Sequence, residues 1–203
     1  MIANIEERPA IFLVPRGLPG LGIRKLSTID SRNVSRVVLD RVDVPTSALL
    51  KEDAAEVLDR VFDHATAGLC AEMLGSIEEL FAQTISYLKT RQQFGVPIGS
   101  FQALKHRAAQ MFCEIELSKS IVAAALQALD ENKPDASLLV STAKARLNDT
   151  YNLVASEAVQ MHGGIGVTDE LDIGLFYKRM RVASTLLGDS AYHRDRFARL
   201  SGY

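Results

Sequence analysis

The sequence predicts a mainly α protein: an antiparallel up-and-down four-helix bundle preceded by a partial β-domain segment. From about residue 52 onward, apolar residues recur at alternating spacings of three and four, the helical period. Short polar, Pro- or Gly-bearing links separate those stretches, which favours antiparallel neighbours. Before residue 50 the pattern is one of short apolar runs bounded by proline and glycine, which reads as strands. The expected domains are 1–50, a remnant of a β-domain, and 51–203, the bundle.

Ile11-Phe12-Leu13-Val14 reads as a strand stopped by Pro15 and Gly17, and Gly20-Leu21-Gly22-Ile23 opens a second. Val34 to Val44 alternates imperfectly and Pro45 closes it. Three or so strands are too few to cover both edges of a sheet, so the segment reads as the tail of a larger β-domain. A small antiparallel sheet packed on the helices is the alternative.

The first helix is expected from about Glu52 to Thr90, with a possible break near Asp63. Leu69, Met73, Ile77, Leu80, Thr84 and Leu88 form its apolar stripe. In the second, Phe101, Leu104, Ala108, Met111, Ile115, Ser118, Val122, Ala125 and Leu129 make a heptad-like seam. Asn132-Lys133-Pro134-Asp135 separates it from a third helix carrying Leu139, Ala143, Leu147, Thr150, Val154, Ala158 and Met161. A fourth helical stretch is expected from about Asp169 to Leu187, and a short last helix from Ser190 to Leu200. Met73, Met111 and Met161 fall on these stripes and read as core.

Composition narrows the function classes. A net charge of −2 over 203 residues gives no reason to expect nucleic acid or an anionic membrane as partner. No apolar run approaches the roughly 20 residues of a membrane span. Cys70 and Cys113 both fall in helical, apolar surroundings, so no disulfide framework is expected and a reducing, cytoplasmic compartment fits. His64, His106, His162 and His193 have no metal-ligand spacing to the cysteines, and no metal is expected.

Two islands stand out at helix ends, Arg91-Gln92-Gln93-Phe94-Gly95 and Gln160-Met161-His162-Gly163-Gly164-Ile165-Gly166. Helix ends carry unpaired backbone groups, and glycine there lets backbone come close. Arg91 offers a planar, permanently charged fork suited to phosphate. Its alternative role is to complement a helix dipole, with Phe94 plugging the core. The second island is a helix C-cap or a ligand cradle. It is not the dinucleotide fingerprint, which needs a preceding strand and a following helix.

Together with Ile98-Gly99-Ser100-Phe101-Gln102, these islands resemble the C-terminal helical domain of the FAD-dependent acyl-CoA dehydrogenases. Upstream, Phe12-Leu13-Val14, Gly20-Leu21 and Val42-Asp43-Val44-Pro45 resemble the closing strands of that family's middle β-domain. The resemblance implies that Arg91, Phe94, Gln102, Gln160, Gly163 and Gly164 contact an FAD held by a neighbouring subunit. It implies that Phe62 and Asp63 line an acyl-CoA cleft. It implies an acyl-CoA substrate, α,β-oxidation, an acceptor such as electron-transfer flavoprotein, and a homo- or hetero-oligomer, dimer or tetramer. A segment starting in mid-domain reads as a shortened chain or an incomplete reading frame, expected to be inactive alone.

The departures concern the catalytic glutamate. The family carries it at one of two positions, which here read as Gly188, within Leu186-Leu187-Gly188-Asp189-Ser190, and Ala65; Thr66 replaces an arginine found in some members. A base is needed because the reaction removes a proton α to a thioester, and a carboxylate in a dry cleft can do so. Glycine and alanine cannot. Asp189 reads as the N-cap of the last helix, and Glu72 and Glu170 as surface charges. A non-catalytic assembly subunit lending FAD contacts to a partner that carries the base is the alternative function.

Overall fold

The computed structural model describes residues 1–203. The chain divides into two compact units, Met1–Phe62 and Asp63–Tyr203, with the division inside the first long helix.

The first unit is built from antiparallel strands. β1 (Ile2–Ile5) pairs with β2 (Arg8–Phe12), which pairs with β5 (Leu49–Lys51). β3 (Leu21–Leu26) and β4 (Val34–Leu39) make a separate two-stranded ladder from Leu21↔Leu39 to Leu26↔Val34. β1 was not legible in the sequence. Its turn is Glu6-Glu7, at φ 45° and 68°, which places two left-handed residues where no glycine announces them. The third expected strand is shorter than its alternating pattern, because Arg41 at φ 49° takes the chain out of the ladder. The faces of β3 and β4 carry Ile23, Val34, Val37, Val38 and Leu39, all exposed.

The second unit is helical: α1 (Ala55–Thr90), α2 (Gln102–Asp130), α3 (Ala136–His162), α4 (Ile173–Ala183) and α5 (Ser190–Leu200). The expected stripe of α1, from Leu69 to Leu88, is buried throughout, as are Met111, Ile115, Ser118, Val122 and Ala125 of α2. Cross-helix pairs give the directions. Glu78 with Lys119 and Phe81 with Phe112 set α2 antiparallel to α1. Arg107 with Glu157, and Ser118 with Thr150, set α3 antiparallel to α2. Lys144 on the Ala183 carbonyl and Tyr151 on the Phe176 carbonyl set α4 antiparallel to α3. This is the alternation an up-and-down bundle requires. α3 is its central helix, flanked by α2, α4 and α5.

Several expectations change in detail. α1 runs through Asp63 without a break. Asp63 is buried, and both its carboxylate oxygens are engaged, by Arg196 (2.6 Å) and by the Ser137 hydroxyl (2.6 Å). α4 is shorter than the stretch Asp169–Leu187, since the chain makes a tight 3-10 turn over Gly163–Val167 and does not resume helix until Ile173. Cys70 is buried but Cys113 is exposed, because it lies off the Met111–Ile115 seam. Met73, Met111 and Met161 are core, and Asp189 caps α5 by accepting from the Tyr192 amide at 2.8 Å.

Candidate functional site

The first corner is a tight hairpin between α1 and α2. β6 (Gln92–Gln93) pairs with β7 (Val96–Pro97), and Phe94 and Gly95 form the two-residue turn at φ 55° and 78°. Two consecutive left-handed residues are what a type I′ turn demands. The Ile98 amide donates to the Arg91 carbonyl at 2.8 Å and closes the loop. Gly99 then passes so near the last turn of α1 that a β-carbon would sit 2.8 Å from the Leu88 carbonyl oxygen. Phe94 is not the core plug weighed from the sequence: it is 90% exposed at the tip, with Phe101 edge-on at 6.0 Å. Arg91 and Gln102 are exposed beside it, and Arg91 makes no ion pair within the chain.

The second corner ends α3. Gly163, at φ 66°, is the C-cap, and its amide turns back onto the Val159 and Gln160 carbonyls. Gln160, Gly163 and Gly164 are exposed, and nothing lies within 4 Å of where a β-carbon at either glycine would be. Gly166 is different: a β-carbon there would meet His162 Cβ at 2.9 Å, so close packing sets its identity. His162 is buried, and its Nδ1 lies 2.7 Å from the Ala158 carbonyl oxygen, to which it donates.

The two corners lie at one end of the bundle and touch through Tyr87. Its ring lies against His162 at 4.4 Å and 30°, and its hydroxyl donates to the His162 carbonyl at 3.3 Å. Sequence reasoning missed Tyr87; the available signal was its place one helical turn before Arg91. Phe62, exposed, and Asp63, buried, sit near the other end of α1, roughly 40 Å from Arg91 at 1.5 Å per residue.

The loop after α4 completes the picture. Gly188 has φ 107°, and a β-carbon there would lie 2.4 Å from Tyr192 Cδ1 and 2.8 Å from His193 Nε2. No side chain fits at position 188 in this backbone. Leu187 before it supplies no acid, and Asp189 after it is used as the cap. Beneath the loop lies Lys144, fully buried, whose ammonium donates to Asn148 Oδ1 (2.7 Å) and to the carbonyls of Ala183 and Gly188 (both 3.0 Å). Burial pulls its pKa down to about 8, against smaller opposing effects of Cys70 and Asp189. Burial likewise pushes the Cys70 thiol up to about 12 and lowers the His193 pKa. His193 holds the Leu187 carbonyl through Nε2 at 2.9 Å. Ala65 is exposed on α1 and Thr66 is buried, so neither expected base position carries a carboxylate.

Open glycine backbone beside an uncommitted guanidinium suits an elongated anionic nucleotide: the glycines let backbone approach, and the arginine supplies charge. Comparisons with known proteins identify the family. The family described as "Acyl-CoA dehydrogenase, C-terminal domain" matches residues 55–201. Among curated relatives, acyl-CoA dehydrogenase IpdE2 of Mycobacterium tuberculosis is 38% identical over 127 residues, 63% of this chain and 38% of that protein. Glutaryl-CoA dehydrogenase of Desulfococcus multivorans is 28% identical over 173 residues, 83% of this chain and 44% of that protein. In the ChsE4-ChsE5 complex from Mycobacterium tuberculosis, a chain superposes with TM-score 0.91 at 26% identity, over 100% of this chain and 55% of that one. The chain thus spans between about two fifths and just over half of the length of these proteins. No helix is long and apolar enough to cross a membrane. The chain belongs to the acyl-CoA dehydrogenase family, and the matched part is that family's C-terminal domain.

Proposed function

We propose that this chain is the FAD-contacting C-terminal part of an acyl-CoA dehydrogenase subunit, working on an acyl-CoA thioester within a homo- or hetero-oligomer. The carrying observation is that two exposed corners meet at one end of the bundle, open at Gly163 and Gly164 and flanked by an unpaired Arg91. Arg91 would hold a phosphate, and Phe94 and Gln102 would lie along the nucleotide. Gln160, Gly163 and Gly164 would offer backbone and amide groups to its adenosine end. FAD, when bound, supplies the hydride acceptor for α,β-oxidation, with electrons passing to a carrier such as electron-transfer flavoprotein. The roughly 40 Å between these corners and the expected substrate-lining pair Phe62 and Asp63 supports corners that serve a neighbouring subunit's flavin. A cytoplasmic setting fits this role.

A second reading is favoured by a specific observation. Neither Ala65 nor the loop Leu186–Ser190 presents a carboxylate base, and Gly188 has no room for one. In that reading the chain is a non-catalytic assembly subunit that lends FAD contacts to a partner carrying the base. A similar structure is itself a complex of ChsE4 with ChsE5, which supports such pairing.

Flavin content tests the leading reading. The assembly containing this chain is purified with Arg91 or with Arg91→Ala, and bound FAD is measured from its absorbance. Less retained flavin in the variant is expected, and equal retention refutes the assignment. The 203-residue chain alone is expected to bind FAD weakly or not at all and to show no turnover; acyl-CoA oxidation by it would overturn that.

A further inference from the structure

We propose that Tyr87 is a positioning residue that locks the two corners into a single nucleotide-holding unit; the inference rests on the flavin reading above. One residue reaches both corners by different groups. Its backbone carbonyl accepts the Arg91 amide at 2.8 Å, which fixes where the first corner leaves α1. Its hydroxyl donates to the carbonyl of His162 at 3.3 Å. That carbonyl is the last of α3 and opens the 3-10 turn Gly163–Val167, so the hydroxyl grips the junction between the two. It also belongs to the same planar peptide unit as the Gly163 amide, so pinning it orients the backbone at the glycine pair.

The contacts on either side are stiff. The His162 ring is fixed between Tyr87 and the Ala158 carbonyl, and Gly166 packs on its Cβ. On the other side Gly99 sits against Leu88 with no room for a β-carbon, and the Ile98 amide closes on Arg91. A shift in either corner is therefore felt by the other through Tyr87. Arg91 and Gln160 bind no common group within the chain, so energetic coupling between them has this route.

A double-mutant cycle on FAD binding tests it. FAD is titrated into the deflavinated assembly that contains this chain. The variants are Arg91→Ala, Gln160→Ala and both together, each with Tyr87 or with Tyr87→Phe. Phenylalanine keeps the ring against His162 and removes only the hydroxyl. With Tyr87, the combined loss should differ from the product of the single losses by roughly fivefold, the size of coupling seen within one network. With Tyr87→Phe the losses should multiply. A residue that merely packs would lower the melting temperature of all variants alike and leave the cycle unchanged. Multiplicative losses in both backgrounds overturn the coupling while leaving the flavin reading intact. No loss of FAD affinity in either single variant overturns the flavin reading, and the coupling with it.

Discussion

Replacing Lys144 by methionine asks what holds the loop between α4 and α5. Methionine keeps most of the length of the stem and removes the ammonium that binds Asn148, Ala183 and Gly188. The folded chain lowers this group's pKa from 10.5 to about 8, because the charge is taken out of water with no carboxylate in contact. In the folded state it therefore releases its proton at lower pH than in the unfolded state. Its charge weakens the fold below pH 8, and the deficit disappears as pH rises from about 8 to 10.5. The full span corresponds to about 3 kcal/mol at 1.36 kcal/mol per pH unit. Between pH 7 and pH 9 the linkage relation gives about 1 kcal/mol. Cys70 is raised to about 12 and opposes this trend near pH 9, but it does so in both proteins. The assay is urea unfolding at pH 7 and pH 9, read as the stability of the wild type minus that of Lys144→Met. That difference should rise by about 1 kcal/mol between the two pH values. Parallel profiles would show that Lys144 is not a buried ammonium and would refute the account of the loop.

Other outcomes follow from the same geometry. Gly188→Ala forces a β-carbon into Tyr192 at φ 107° and should cost about 2–4 kcal/mol in unfolding experiments. Gly188→Glu should destabilise at least as much and restore no oxidation, measured with an artificial electron acceptor. Asp189→Ala removes the cap of α5 and should cost about 1 kcal/mol, read as a lower melting temperature. Asp63→Ala removes the buried carboxylate that both Arg196 and Ser137 bind, so a loss of about 3 kcal/mol is expected from denaturant titration. In native protein a thiol reagent should label Cys113 and spare Cys70, with the second equivalent taken up only on unfolding.

The helices were legible because their stripes are long, and burial follows the three–four spacing residue by residue from Leu69 to Leu88. The corners were legible as helix ends with glycine, which is a local property. Their meeting was not, because Tyr87 and His162 are brought together by packing of α1 along α3, and a lone aromatic carries no pairing signal. Lys144 was hidden for a related reason: a lysine within a helix reads as solvent-facing, and its burial is made tolerable by Asn148 together with the distant carbonyls of Ala183 and Gly188. Glu6-Glu7 hid β1 because left-handed turns are normally announced by glycine or asparagine.

The hairpin tip has a consequence for handling the protein. An aromatic residue that stands in water on a left-handed backbone is unfavourable twice over. Phe94→Gly should therefore make the solitary chain more tractable in dilute buffer, by easing the turn and removing a sticky ring. The same change would remove the ring that the flavin proposal lays along the nucleotide.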